Sequence, residues 1–244
     1  MSKKIAIVYF GLLRTLEKVH ESHINNIYKI LSENNIEYKI FVHTWKTKND
    51  EQKIWENTIN IKQNYKQIEL LNSYKNKIDD QEIFEKDLKF SDYFYKDIFD
   101  SQGSNHTKNN GEWIPQLIKN HLCALESLKR GYNMVETDEI DFDYVMFIRP
   151  DALFEHKFPI NTIDFLDKYE NGILVPNFGN HSGVNDRFAV TNYKYSKFYA
   201  TRINELADFR KKHRKIISEK YNAYIINKYF NKHIIDFKFT CLRP

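Results

Sequence analysis

Apolar residues fall in blocks along this chain, and the block lengths alternate between those of strands and those of helices. Ile5-Ala6-Ile7-Val8-Tyr9-Phe10 is a continuous apolar run of strand length. Such runs, rich in β-branched and aromatic residues, fit strands covered on both faces. Leu16, Val19, Ile24, Ile27, Ile30 and Leu31 then recur near helical spacing and predict a helix from about Thr15 to Asn34. Asn34-Asn35 breaks it, and Tyr38-Lys39-Ile40-Phe41-Val42-His43 predicts a second strand running into His43-Thr44-Trp45. Two strands joined by one helix imply a parallel pair with a right-handed crossover. Gly11 permits a tight bend after the first strand, and Arg14 opens the helix.

Residues 46–110 carry no such periodicity. They are rich in Lys, Asn, Asp and Gln, with scattered aromatics such as Trp55, Tyr74, Phe84, Phe90, Tyr93, Phe94 and Tyr95. A third strand is expected at Lys66–Leu71, followed by short helices. The polar, glycine-containing stretch 101–111 reads as a loop, either a lid or a plain connector. Trp113 to Tyr132 predicts a helix, with Pro115 tolerated in its first turn and Gly131 near its C-terminal cap. Leu117, Leu122, Leu125 and Leu128 supply its apolar stripe, while Gln116, Lys119 and Asn120 share another face, which is either solvated or turned into a cleft.

Tyr144-Val145-Met146-Phe147-Ile148-Arg149-Pro150-Asp151 is the sharpest signal. Pro150 cannot donate to a central ladder, so the strand stops there and hands Asp151 to the loop beyond its carboxyl end. Downstream, Ile160 to Leu166 predicts a short helix capped by Asn161 or Thr162, and Gly172–Pro176 a strand. The polar stretch from Asn177 to Arg187 leads into a strand at Phe188-Ala189-Val190. A helix follows over Tyr193–Leu206, then a basic run over 210–215, a helix opening at Ser218-Glu219 and a closing strand at Ile234–Phe239.

At 244 residues the chain is long enough for one large α/β domain, and no repeat or low-complexity linker divides it. Apolar residues at 41% place it among globular chains rather than disordered ones. The net charge of +4 favours an anionic ligand without demanding nucleic acid. Cys123 and Cys241 have no metal or disulfide spacing and are expected to be free thiols. The apolar start after Met1-Ser2-Lys3-Lys4 is too short for a membrane span and lacks a small-residue cleavage site, so a cytoplasmic protein is expected.

Candidate chemistry gathers at one edge of the predicted sheet. The loop carrying Gly11 and Arg14, the strand tip carrying His43 and Thr44, and Asp151 all belong to the carboxyl ends of parallel strands, where open α/β sheets bind ligands. A nucleotide could rest there with Arg14 near phosphate and Trp45 near a base. Asp151 beside the Arg149 cation could ligate Mg2+ or Mn2+ and grip a diphosphate; alternatively, the two pair structurally or cap the next turn. His43 could equally be a satisfied residue at a strand end, and Trp45 part of the core. In the 177–187 stretch, His181, Asp186 and Arg187 could supply a base, a carboxylate for sugar hydroxyls and a cation.

The ordered set Phe10-Gly11-Leu12-Leu13-Arg14-Thr15-Leu16, Phe41–Trp45, Gln116, Ile148-Arg149-Pro150-Asp151 and Asn185-Asp186-Arg187-Phe188-Ala189-Val190 resembles nucleotide-sugar glycosyltransferases of the GT-A fold, of the bacterial and giant-virus type with Arg-Pro-Asp in place of DxD. That resemblance implies a single Rossmann-type α/β domain over 1–244, with a mostly parallel central sheet flanked by helices. Residues 1–151 would form the nucleotide-sugar half and 152–244 the acceptor side. It also implies a hexosyl- or pentosyltransferase using a nucleoside-diphosphate sugar and a glycan or lipid-linked acceptor. Gly11, Arg14, His43, Thr44, Gln116, Lys119, Arg149 and Asp151 would hold the donor, with Mn2+ or Mg2+ on Asp151. Arg149 stands where the first DxD acid would be, and could neutralise diphosphate itself. For an inverting enzyme, Asp186 is the first candidate for a base, then Glu219, then His181; a retaining enzyme would need no base in that place.

Two other classes compete with an enzyme. A nucleotide-sugar-binding domain without turnover is compatible with the incomplete DxD. Nucleic-acid binding would need a basic stripe interleaved with exposed aromatics, whereas the cations here are dispersed among 33 acidic residues. The 210–215 run is expected to be a solvated face, making at most peripheral membrane contact.

Overall fold

The computed structural model describes residues 2–48, 51–54, 57–60, 63–94, 113–213 and 215–243, with backbone alone for 51–54 and 57–60. The expected 101–111 loop, Trp55, Tyr95 and Arg214 lie outside the described residues. Strand β1 (Lys3–Phe10) alternates cleanly: Ile5, Ile7 and Tyr9 enter one apolar layer, and Ala6, Val8 and Phe10 the other. The connection to β2 (Ile36–Lys46) is helix α1 (Leu16–His23), a π-helical turn (Ile24–Tyr28) and α2 (Lys29–Glu33). Asn35, with φ 56°, then turns the chain back to the sheet.

A small hairpin, β3 (Glu51–Ile54) and β4 (Asn57–Asn60), precedes β5 (Lys75–Asp80) and α3 (Gln81–Asp87). Helix α4 (Pro115–Glu136) leads to β6 (Tyr144–Ile148), β7 (Ala152–Phe154), α5 (Ile163–Lys168) and β8 (Gly172–Pro176). The chain continues through β9 (Phe188–Asn192), α6 (Tyr193–Ala200), α7 (Ile203–His213), α8 (Ser218–Tyr229), β10 (Asn231–Ile235) and β11 (Phe239–Cys241). Seven strands form the central sheet in the order β10-β8-β9-β6-β1-β2-β5. All are parallel except β9, which runs against both neighbours. This is an α/β architecture with a mostly parallel sheet flanked by helices.

One layer packs α1 and α2 against β1 and an aromatic cluster of Phe154, Phe158, Phe188, Phe237 and Phe239. The other packs α4, α6, α7 and α8 on the opposite face. Among the described residues, no helix is long and apolar enough to cross a membrane.

Several expectations need correction. Lys66–Leu71 lies within a 3-10 helix (Tyr65–Leu71), entered through the Asn64 side chain, which accepts from the Lys66 amide, and left through Asn72 at φ 42°. The third parallel strand is β5, more polar and closer to the sheet edge than any periodicity argument would choose. Gly131 is not a cap, because α4 continues to Glu136 and crosses the sheet there; a Cβ would stand 2.8 Å from Val8 Cγ1. Thr162 donates to the Pro159 carbonyl and makes no side-chain cap to α5. The predicted helix over 193–206 is two helices, parted at Thr201-Arg202, and the final strand is split into β10 and β11. The basic run is not a uniform surface: Arg210 is buried, whereas Lys211, Lys212 and Lys215 are exposed.

Three histidines sit inside these layers. His23 is hydrogen-bonded to Tyr9 Oη (2.7 Å) and the Ala152 carbonyl (2.5 Å), and His43 to Ser127 Oγ (2.8 Å) and Asp79 (3.2 Å). Burial pushes each of His23, His43 and His121 down to about 4. The shift in each case has the same sign, so their contributions add. An unfolded histidine titrates near 6.5. The folded state therefore binds fewer protons than the unfolded one between about pH 6.5 and about pH 4, and stability falls as pH drops through that window. Urea midpoints measured at pH 7, 5.5 and 4.5 are expected to decline steadily, with proton uptake on unfolding; a flat profile down to pH 4.5 would contradict the burial of these rings.

Candidate active site

The carboxyl ends of β1, β2 and β6 open into a cleft of about 940 Å³, floored by Phe10, Gly11 and Leu12 and walled by α4, α8 and the 177–187 loop. Gly11 sits at φ 98°, a left-handed turn that glycine makes without strain, and its amide donates to Ser127 Oγ (2.8 Å) on α4. That bend carries Arg14 to the cleft wall. The polar face of α4 also looks inward, with Gln116, Lys119 and Asn120 lining the space. Gln116 donates to Asn120 (3.0 Å), and the Lys119 ammonium lies over the Phe90 ring. Leu117 lines the cleft too, so the buried stripe of α4 begins instead with Ile118.

Beyond β6 the backbone turns sharply at Pro150, and Arg149 folds back on Asp151 in a two-pronged ion pair. Its Nε donates to Oδ1 (2.9 Å) and its Nη2 to Oδ2 (2.6 Å). Asp151 is fully buried, while Arg149 faces the cleft. Burial alone would raise the Asp151 carboxyl, but Arg149, with Arg14 and Arg243, outweighs it and holds the group below the usual carboxylate range.

The 177–187 loop is fixed by its own side chains. Asn185 receives the Arg187 amide (2.9 Å) on its Oδ1 and donates to the Phe178 carbonyl (3.0 Å), and Asn222 on α8 donates to the Asn185 carbonyl (2.8 Å). Arg187 reaches Glu219 (2.9 Å), whose other oxygen accepts from Ser218 (2.9 Å). Asp186 Oδ1 lies 3.6 Å from Arg187 and is buried with no hydrogen-bond partner among the described residues. Burial would raise the Asp186 carboxyl; Arg187, His121 and Arg202 together bring it below its ordinary range. His181 is exposed at the rim in a left-handed turn, φ 38°.

The structure thus brings together Gly11, Arg14, Gln116, Lys119, Arg149, His181, Asp186 and Glu219. It does not bring His43 or Thr44 to the cleft wall. Both are fully buried, and His43 is spent on Ser127 and Asp79. Trp45 does line the space, but its ring stacks on Phe84 and lies under the Arg130 guanidinium, which leaves it a poor platform for a base. Two contributors escape sequence reasoning. Arg243 arrives through β11, which pairs with β7, and the Leu242 amide donates to the Asp151 carbonyl (2.8 Å). His121 enters from α4, its Nε2 without a hydrogen-bond partner among the described residues. A basic residue at position 243 carries no motif, and His121 lies on the helix face that periodicity assigns to the core.

A divalent metal on Asp151 does not fit these residues. Both carboxylate oxygens are taken by Arg149, three arginines crowd the group, and it does not reach the cleft wall. Among the described residues, no cluster of three or more His, Cys, Asp or Glu side chains could hold such an ion. Cys241, near Asp151, is pushed up to about 12, chiefly by burial, and so offers no thiolate.

No protein-family model matches the chain, and no curated protein matches it. Among solved structures, it is similar to the glycosyltransferase GlyE of Streptococcus pneumoniae TIGR4, at 14% identity and a TM-score of 0.39 over 96% of this chain and 45% of that one. The chain therefore spans less than half the length of GlyE. It is also similar to apo mouse xyloside xylosyltransferase 1, at 11% identity and TM-score 0.44 over 96% and 85% of the two chains. The galactosyltransferase LgtC, solved with donor and acceptor sugar analogs, aligns at 8% identity and TM-score 0.44 over 95% and 72%. All three are glycosyltransferases.

The close seat of Gly183 on α8 gives a test of the loop's rigidity. A Cβ there would fall 2.1 Å from the Glu219 carbonyl carbon and oxygen, an overlap only backbone movement can relieve. Gly183→Ala is expected to cost about 1–3 kcal/mol in urea denaturation. A wild-type midpoint for that variant would show that the loop is not held against α8.

Proposed function

We propose that the chain is a glycosyltransferase that moves a sugar from a nucleoside-diphosphate donor to a hydroxyl of a glycan or lipid-linked acceptor. The observation that carries this reading is the convergence, on one cleft at the carboxyl edge of the sheet, of the ordered motif residues Gly11, Arg14, Gln116, Arg149 and Asp186. Among the described residues, seven Lys and Arg side chains line that cleft against four Asp and Glu. That excess suits an anionic donor.

Transfer of a glycosyl group passes through an oxocarbenium-like state, so charge grows on the departing diphosphate as the anomeric bond breaks. Fixed guanidinium groups at Arg14 and Arg149 stabilise that charge with little reorganisation. On the acceptor side, a base takes the hydroxyl proton as the new bond forms. Asp186 is the base in this reading: it lines the cleft, Arg187, His121 and Arg202 hold its carboxyl below the usual range against burial, and its tie to Arg187 is a loose ion pair at 3.6 Å. Glu219 ranks behind it because both its oxygens are engaged, by Arg187 and Ser218. His181, exposed at the rim, suits acceptor contact better than proton transfer. Residues 1–151 would hold most of the donor and 152–244 the acceptor side, with Arg243 crossing that division.

The test is release of nucleoside diphosphate from a panel of hexose and pentose nucleotide sugars, with acceptors present. Asp186→Asn is expected to lower turnover roughly a hundredfold or more with donor affinity retained, while Glu219→Gln acts mainly on stability. If no donor is turned over but nucleoside diphosphates still raise the melting temperature, the chain is a binding domain rather than an enzyme.

A further inference from the structure

The arrangement around Asp151 carries a second conclusion, which rests on the reading of the cleft as a diphosphate-sugar site. We propose that the diphosphate is held without a divalent cation, by a seat of guanidinium groups from Arg14, Arg149 and Arg243, with Asp151 serving as the buried counter-ion that aims Arg149. In this arrangement the carboxylate of Arg-Pro-Asp touches an arginine instead of a metal.

Three observations support it. First, the bidentate pair uses two of the five N–H donors of Arg149, and the side chain faces the cleft. The remaining donors are held in one plane by a partner that cannot move, because the Asp151 carbonyl is itself tied by the Leu242 amide (2.8 Å) and Leu242 by Thr15 Oγ1 (3.0 Å). Planar, fixed guanidinium groups match phosphate oxygens, which accept two parallel hydrogen bonds.

Second, Arg14 lines the same cleft, and its Nε is buried with no hydrogen-bond partner among the described residues. A buried, unpartnered cationic donor is costly unless a ligand satisfies it. Burial lowers Arg14 to about 10, and the nearby charges of Arg149 and Arg243 push in the same direction. Asp151 is the carboxylate that offsets this repulsion for Arg14, and it is shared among three arginines, so the cluster retains positive charge that an anion would relieve.

Third, the acids that remain at the cleft are poorly placed for a metal. Glu219 is bound to Arg187 and Ser218, Asp186 lies beside Arg187, Glu85 accepts from Gln81 (2.6 Å) on α3, and Glu82 lies 3.7 Å from the Lys48 ammonium. A hard divalent cation needs several free oxygen ligands. The cations already present do the electrostatic work such an ion would supply.

Inorganic pyrophosphate is the probe, because it carries neither base nor sugar and reports the seat alone. Isothermal titration with the intact chain is expected to show pyrophosphate binding in EDTA, with affinity weakened by added salt and reduced about tenfold or more by Arg14→Ala or Arg243→Ala. Circular dichroism of each variant confirms that it is folded. The proposal is overturned if pyrophosphate binds only when Mg2+ is added, if it does not bind in either condition, or if both folded arginine variants bind as wild type does. Binding in EDTA without turnover of any nucleotide sugar would sink the transferase reading and leave the seat standing. Turnover together with strictly Mg2+-dependent pyrophosphate binding would do the reverse.

Discussion

The two-pronged pair between Arg149 and Asp151 is the constraint on which the cleft is built. A carboxylate with no solvent exposure at the end of a core strand is tolerable only if its charge is answered at short range, and Arg149 answers it with two donors, two residues away in sequence. Pro150 between them stops β6 and brings the two side chains together. Once the pair is made, its backbone becomes an anchor. The Leu242 amide ties down the Asp151 carbonyl, and the Arg149 amide donates to the Arg187 carbonyl (3.1 Å).

From that anchor the rest of the rim follows. β11 lies along β7 because Leu242 is held at Asp151, and this brings Arg243 to the cleft. On the other side, Asn185 and Asn222 knit the 177–187 loop to α8, while Gly183 allows the loop to press on the Glu219 backbone. Buried polar networks of this kind are costly if half satisfied and rigid if complete. Among the described residues, the buried polar atoms without a hydrogen-bond partner include Arg14 Nε, His121 Nε2 and Asp186 Oδ1, all on residues that line the cleft.

Much of this was legible in the sequence. The runs 5–10, 38–43, 144–148 and 172–176 are apolar enough that few alternatives to buried strands exist, and all four are strands. Proline at 150 and glycine at 11 marked where the sheet edge would be. Legibility failed where tertiary context decided. β5 is polar because it lies at the edge of the sheet, and the 65–71 segment took a helical turn because Asn64 and Asn72 cap it. His43 looked like a ligand because it ends a strand, yet its donors and acceptors were already claimed by Ser127 and Asp79, residues distant in sequence. Asp151 was recognised as central, but which side of its charge faced the cleft depended on a side-chain rotamer that no spacing encodes.

The reversed strand β9 has one more effect. Parallel strands deliver their carboxyl ends to the cleft, whereas β9 delivers its amino end, so Arg187 arrives where Arg149 departs. These two arginines, far apart in the chain, thereby face each other one step beyond the last ladder pair, Ile148 opposite Phe188, with the Arg149 amide donating to the Arg187 carbonyl. The gap between them is then a property of strand spacing, about 4.8 Å. The 177–187 loop could lengthen or change its chemistry without disturbing that gauge.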